Sequence, residues 1–274
     1  MITSAKTSTS EMIKVEQKLS VQYKTFAEDS SAIRSLDWDR SRFDIEFGLR
    51  NGTTYNSFII KGQKLAIIDT SHSKFEKLWF EQLLKEVNPL DIDYLITSHT
   101  EPDHSGLIGN LLKLNPDITV VGSKLALKFI EDQIHVPFKS LEVKSGQYLD
   151  LGINAKSAVR HNIEFISAPN LHWPDTIFSY DHGTNVLYTC DAFGLHYCSD
   201  EFFDSDQKEI YEDFRFYYDC LMGPNARSVL QAIKRIDKLP EPKTIAVGHG
   251  PLLHNQVKFW KGKYLEWSSN KSKG

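Results

Sequence analysis

Short apolar runs alternate with helical patterns along the first half of the chain. Runs rich in β-branched and aromatic residues predict strands at 57–60 and 64–69, with a turn at Gly62 between them. After Ser73, the expected N-cap, apolar residues recur at helical spacing and predict an amphipathic helix. Further predicted elements are a strand at 93–99, a helix at 107–114, a strand at 119–122 and a helix at 124–134.

The second half opens with strands, adds helices and closes with a strand. Strand-like runs cover residues 140–143, 163–168, 176–180 and 185–190, and Gly, Asn and Pro separate them. Two helices are predicted at about 207–221 and 226–239, and a last strand at 243–248. Two strand–helix halves packed face to face would form an α/β fold of four layers, αββα, which this pattern permits without requiring it.

Composition narrows the class of protein. The 274 residues are 41% hydrophobic and 25% charged, as in ordinary globular domains, and the net charge of −4 argues against nucleic acid or an anionic membrane as the main partner. No run of 18 apolar residues occurs, and the polar start predicts a disordered tail over 1–24 rather than a secretory signal. Three cysteines without CxxC spacing, Cys190, Cys198 and Cys220, indicate ordinary buried thiols and a reducing, cytoplasmic location.

Four candidate metal ligands lie within six residues, directly after the predicted strand at 93–99. They are His99, Glu101, Asp103 and His104. A strand end provides a rigid base, and the loop that follows lets alternate side chains converge. Pro102 lacks a backbone donor and restricts the residue before it to extended conformations, so no helix is predicted here. The alternative interpretation is a polar turn with two solvated histidines.

Three more candidates, His172, Asp191 and His249, also follow predicted strands. Each alone is compatible with a structural role, but together they predict one cleft that collects all seven side chains. Four imidazoles and three carboxylates are too many for one tetrahedral zinc and suit two adjacent metals bridged by a carboxylate. Iron, manganese and zinc all accept such ligands, and the share of carboxylates favours redox-active iron.

The runs HTEPDHSG (99–106), HWPDT (172–176), YTCDAFG (188–194) and VGHGP (247–251) resemble those of flavodiiron proteins, also called A-type flavoproteins. The resemblance extends from about Ile33 to Trp267, and residues 34–60 are similar to the photosynthetic class of cyanobacteria, algae and plants. Hydrolytic members of the metallo-β-lactamase superfamily carry histidine where this chain has Glu101. The resemblance implies a metallo-β-lactamase-like αββα sandwich.

The resemblance also implies a role for each candidate ligand. One iron would be held by His99, Glu101 and His172, the other by Asp103, His104 and His249, with Asp191 bridging them. Asp69 matches a superfamily aspartate that orients a ligand histidine. Either Tyr217 or Tyr218 would correspond to a tyrosine of the substrate pocket.

By resemblance, the activity would be reduction of O2 to water or of NO to N2O at two iron ions. Residues 25–267 would form the diiron domain, and 268–274 would begin a linker to a missing flavodoxin-like domain. Because no GxGxxG or P-loop occurs, FMN is expected only in that domain, and turnover by this chain alone should be impaired. An electron-donating flavin domain or reductase and a homodimer, or a heterodimer with a paralogue, are the implied partners. A zinc-dependent hydrolase of the same fold and a non-catalytic subunit of a heterodimer remain the alternatives.

Overall fold

Two β-sheets lie face to face in a computed structural model of the chain, which describes residues 18–43, 47–205 and 207–272. The strands are β1 (Leu19–Ala27), β2 (Ser30–Asp37), β3 (Arg42–Phe43), β4 (Phe47–Gly48), β5 (Thr53–Lys61), β6 (Leu65–Ile68), β7 (Ile92–Ile96), β8 (Thr119–Gly122), β9 (Lys139–Glu142), β10 (Tyr148–Ile153), β11 (Arg160–Ser167), β12 (Ile177–Asp181), β13 (Val186–Cys190) and β14 (Thr244–Val247). The helices are α1 (Glu76–Glu86), α2 (Pro102–Ser105), α3 (Ile108–Leu114), α4 (Lys124–Ile134), α5 (Gln207–Tyr217), α6 (Ala226–Ile236) and α7 (Val257–Lys271).

The two sheets have different strand orders. The first runs β1-β2-β5-β6-β7-β8-β9, antiparallel as far as β6 and parallel from β6 to β9. The second runs β10-β11-β12-β13-β14, with only its last pair parallel. Candidate ligands follow β7 of the first sheet and β11, β13 and β14 of the second. The site must therefore form where the two sheets meet.

Strand β5 shows how one sequence serves two layers. Phe58 and Ile60 pack into the core between the sheets, whereas Ile59 faces the helices on the outer side of the first sheet. This division follows from the two-residue period of a strand. The inner core also contains Phe165 and Tyr188 of the second sheet. The outer cores lie under α1, α3 and α4 on one side and under α5, α6 and α7 on the other. The predicted four-layer αββα sandwich is confirmed.

Both predicted chain ends differ from the structure. Strand β1 begins at Leu19 and pairs along β2, so the predicted tail over 1–24 is wrong for its last residues; residues 1–17 lie outside the described part. Helix α7 continues to Lys271, so most of the predicted linker at 268–274 is helical. Trp260, Tyr264 and Trp267 are buried along one side of α7, and this helical spacing is the signal that the prediction missed.

Two local predictions about helix starts are also wrong. His72, not Ser73, caps the 3-10 turn Ser73–Phe75 that leads into α1, because its side chain accepts a hydrogen bond from the Lys74 backbone amide. Helix α1 itself begins after Phe75, which makes no side-chain capping bond. Pro102 begins the short helix α2 instead of preventing it. Proline suits the first position of a helix, where its missing N–H would have no intrahelical acceptor and its φ is already helical. Among the described helices, none combines the length and apolar character needed to cross a bilayer.

Candidate metal centre

All seven candidate ligands converge at the ends of β7, β11, β13 and β14. Six of them are buried, and His172 is half-buried. The loop after β7 supplies His99 and Glu101, the short helix α2 that follows it supplies Asp103 and His104, and the loops after β11, β13 and β14 supply one side chain each. This convergence is expected from the sequence, because each candidate ligand follows a predicted strand.

Asp191 lies at the centre, and its two carboxylate oxygens face different histidines. Oδ2 lies 2.9 Å from Nε2 of His99 and 3.3 Å from Nε2 of His172. Oδ1 lies 3.0 Å from Nε2 of His104 and 3.2 Å from Nε2 of His249. One carboxylate therefore faces two separate pairs of imidazoles, one on each side.

The other two carboxylates complete these two sides. Glu101 Oε2 is 2.8 Å from His172 Nε2, and Asp103 Oδ2 is 3.3 Å from His249 Nε2. Three groups of possible ligand atoms result among the described residues, each with its members within 4.8 Å of one another: Glu101, His172 and Asp191; Asp103, His104 and His249; and His99, His104, Cys190 and Asp191. Glu101 and His172 lie in one group and Asp103, His104 and His249 in another, whereas His99 groups with His104, so the division of the ligands between two ions stays a prediction.

The electrostatics of the cluster are those of tightly coupled carboxylates and imidazoles. Burial disfavours the charged form of His104, but the charges of Asp103 and Asp191 outweigh it and raise its pKa to about 9. Burial likewise disfavours the charged form of His249, but the close carboxylates of Asp103 and Asp191 outweigh it and raise the pKa to about 10. Burial alone would raise the pKa of Asp191, yet the histidines hold it well below its ordinary value. The Asp191 carboxylate is therefore anionic and lies beside protonated imidazoles, whose protons a bound metal ion would displace.

The unsatisfied atoms of the cluster fit metal ions. His99 Nε2, both Asp103 oxygens and Asp191 Oδ2 are buried and have no hydrogen-bond partner within the described part of the chain. Buried polar atoms without partners are costly unless an ion or water satisfies them. Cys190 also reaches one edge of the cluster, and burial raises the pKa of its thiol well above the ordinary value. The seven predicted ligands do not include it. The donor set is nitrogen and oxygen, as two adjacent metal ions of the iron, manganese or zinc kind require.

The backbone around the cluster is held by side chains outside it. Asp69, in a left-handed conformation (φ 56°), accepts a hydrogen bond from the Ser98 amide at 2.7 Å and so anchors the loop before His99. The predicted aspartate therefore acts on the ligand loop through its backbone. His249 Nδ1 donates to the Thr54 carbonyl at 2.5 Å, which leaves Nε2 free to face Asp103 and Asp191.

The two candidate tyrosines have different surroundings. The Tyr217 ring lies 6.2 Å from the His249 ring, and its hydroxyl has no partner among residues that the structure describes. The Tyr218 hydroxyl instead bonds to Ser268, and its ring packs on Tyr264 and Trp267. Tyr217 is thus the tyrosine beside the candidate centre, and Tyr218 belongs to the core under α7.

One buried histidine at the site, His196, is not among the residues that the sequence pattern predicts. The ring of His196 lies 4.8 Å from that of His249 and 4.2 Å from that of Phe43. Burial lowers its pKa well below the ordinary value, so it is neutral. Its position in the loop that carries Asp191, five residues further on, was the available signal.

Comparison with known proteins supports the same relationship. The family model described as ODP family beta lactamase matches residues 53–250, a span that contains all seven candidate ligands. Curated cyanobacterial relatives named as diflavin flavoproteins are 53% to 60% identical to the chain. Diflavin flavoprotein A 1 of Synechocystis sp. is 55% identical over 94% of this chain and 44% of its own length. The chain thus spans less than half the length of the curated relatives it matches.

Two solved structures extend the comparison. The metal-soaked Flv1 flavodiiron core from Synechocystis sp. PCC6803 is 32% identical, with a TM-score of 0.85 over 92% of this chain and 61% of the other. Rubredoxin oxygen:oxidoreductase from Desulfovibrio gigas is 26% identical, with a TM-score of 0.84 over 90% of this chain and 62% of the other. The chain therefore belongs to the ODP family of β-lactamase-fold proteins, and flavodiiron proteins are its structural neighbours.

Proposed function

We propose that this chain is the diiron core of an oxidoreductase that reduces dioxygen or nitric oxide. One observation carries the proposal: the two oxygens of Asp191 face two different pairs of histidines, each of which has a further carboxylate beside it. A single tetrahedral ion would not use seven donors in two groups. Two adjacent ions would use all of them.

Each ion would have three protein ligands besides the shared carboxylate. The first would be held by His99, Glu101 and His172, and the second by Asp103, His104 and His249, with Asp191 between them. Hydrolytic members of the metallo-β-lactamase superfamily carry histidine where this chain has Glu101. Glu101 would instead give the first ion an anionic oxygen donor. Oxygen-rich, higher-coordinate sites favour iron over zinc.

The protein's own part in the reaction is to position the ligands and exclude water. Two ferrous ions bound here would supply electrons to O2 or NO. The Thr54 carbonyl fixes the tautomer and the ring orientation of His249, and Asp69 anchors the backbone before His99. Burial of six of the seven ligands limits the access of water to the centre.

The choice of substrate and electron donor rests on the relatives. One solved neighbour is named rubredoxin oxygen:oxidoreductase, and the curated relatives are named diflavin flavoproteins. We therefore propose O2 as a substrate, with NO as the other candidate, and an FMN-bearing domain or reductase outside the described residues as donor. A homodimer, or a heterodimer with a paralogue, would bring that donor to the centre. Residues 19–271 would form the diiron domain.

Metal analysis followed by single-turnover spectroscopy tests the proposal. Protein loaded anaerobically should hold close to two irons per chain, and Glu101→Ala should hold fewer. The reduced protein should then be oxidised by O2 or NO in one turnover, while NADPH alone should sustain no rapid oxygen consumption. Two zinc ions per chain together with ester hydrolysis would favour the hydrolase instead. Iron content that is unchanged in Glu101→Ala would contradict the assignment of that ligand.

A further inference from the structure

A cavity of about 350 Å³ lies beside the candidate metal centre. The segment Gly48–Asn51 forms one wall, and Glu212, Asp213 and Phe216 of α5 line the other. Asn51 donates a hydrogen bond to Asp213 at 2.9 Å, which ties the two walls together. His196 and Tyr217 also line the cavity, and both rings approach that of the candidate ligand His249.

Both of these inner side chains present an unused polar atom. His196 and Tyr217 are 7% and 2% exposed. His196 Nε2 and the Tyr217 hydroxyl are buried and have no hydrogen-bond partner over the described ranges. A native protein rarely leaves two neighbouring buried polar atoms unsatisfied, and such atoms mark the place of a water or a ligand.

Thr53 determines which nitrogen of His196 carries the proton. Its hydroxyl lies 2.8 Å from His196 Nδ1, and the alternative acceptor, the Thr54 carbonyl, is at 3.4 Å. That carbonyl already accepts the His249 Nδ1 proton at 2.5 Å. The Thr54 carbonyl can accept a second hydrogen bond, but the shorter contact makes His196 Nδ1 the better acceptor for the Thr53 hydroxyl. A neutral imidazole that accepts at Nδ1 carries its proton on Nε2.

We infer that His196 donates a hydrogen bond from Nε2 to a small acceptor molecule held at the inner end of this cavity, beside the metal centre. The Tyr217 hydroxyl is the second donor to the same molecule. This inference rests on the proposed function, because it takes the acceptor to be the small substrate of the metal centre or a small anion that competes with it. Phe43 packs against the His196 ring and holds its orientation.

The tautomer of His196 can be measured in the metal-free protein. Nitrogen-15 chemical shifts of the imidazole should show a neutral ring protonated at Nε2. Thr53→Ser keeps the hydroxyl and should preserve this tautomer, whereas Thr53→Val removes the donor and should abolish the preference. A wild-type ring protonated at Nδ1 would overturn the inference, whatever the protein does with iron.

Azide, a small anion with acceptor nitrogens, tests the binding step in the iron-loaded protein by visible absorption. His196→Phe keeps an aromatic ring and removes the donor, so azide affinity should fall about three- to tenfold, as expected for one lost hydrogen bond. Tyr217→Phe should weaken binding similarly, and Tyr218→Phe is the matched control that should not. If His196→Phe fails to fold, Thr53→Val replaces it.

The outcomes separate the two proposals. A wild-type protein that holds no iron would contradict the proposed function, and the inference would fall with it. An iron-loaded protein whose azide affinity is the same in wild type, His196→Phe and Thr53→Val would overturn the inference alone. An iron-loaded wild-type protein that does not bind azide would also contradict the inference about His196.

Discussion

Replacing Gly248 with alanine should displace an imidazole of the metal centre. A Cβ at this position would lie 2.7 Å from Cε1 of His104, and 3.1 and 3.2 Å from the backbone C and O of Cys190. Because ordinary contact begins at 3.4 Å, the His104 ring would have to move by about 0.7 Å. Its contact with Asp191 at 3.0 Å opposes that movement. Overpacking of this kind costs about 1–3 kcal/mol.

Urea unfolding and iron titration measure the two consequences. The free energy of unfolding of Gly248→Ala should be about 1–3 kcal/mol below that of the wild type. Iron affinity at the position that uses His104 should fall about 10–100-fold, the range found when the groups that orient a ligand are removed. Gly262→Ala is the control, since a Cβ there meets nothing within 4 Å and alanine favours the helix by up to about 1 kcal/mol. A Gly248→Ala protein as stable and as iron-replete as the wild type would refute this reasoning.

Three further predictions concern stability. Burial lowers the pKa of His161, but the carboxylates of Asp181 (2.8 Å) and Asp29 (3.3 Å) outweigh it and raise the pKa above its ordinary value. Their attraction to the charged ring therefore stabilises the fold below about pH 6.5, and this stabilisation is lost as pH rises through the raised pKa. In urea unfolding, the difference in stability between the wild type and His161→Gln should narrow with rising pH, and a constant difference would contradict this. The Asn56 side-chain amide donates to the Val247 and Gly250 carbonyls (2.8 and 2.9 Å), which flank His249. Asn56→Ala should therefore lower the free energy of unfolding in urea by about 1–3 kcal/mol and also lower the iron content. When free iron is present at about 100 times its Kd, binding adds about 2.7 kcal/mol to the free energy of unfolding, and chelation removes this contribution. Calorimetry should then show a Tm lower by about 5–10 °C, with a smaller change in Glu101→Ala.

The sequence pattern predicts an element's bounds best where a periodic apolar run ends in polar residues. Strand β8 and helix α4 agree with their predicted bounds, because each has an uninterrupted pattern between clear boundaries. The errors lie where local rules compete. Pro102 restricts the residue before it to extended conformations, which argues against a helix, but its own φ suits the first position of one, and helix α2 begins there. Strand β1 was missed because its side chains are at most half-buried, which leaves little apolar signal at an edge of the sheet.

The sequence by itself determined which donor atoms the candidate centre offers. The nitrogen and oxygen donors, the lack of a thiolate among them and their positions after apolar strands can all be seen in the runs around His99, His172, Asp191 and His249. These features are local, because a strand end positions the residues that follow it regardless of the rest of the chain.

Only the tertiary structure decided how those donors are divided and what surrounds them. The two oxygens of Asp191 face opposite pairs of histidines because loops from both sheets meet there, and no spacing along the chain encodes that meeting. The link from Thr53 to His196 joins a strand of the first sheet to a loop of the second. Such contacts depend on how the sheets stack, and stacking is set by the packing of the whole core between them.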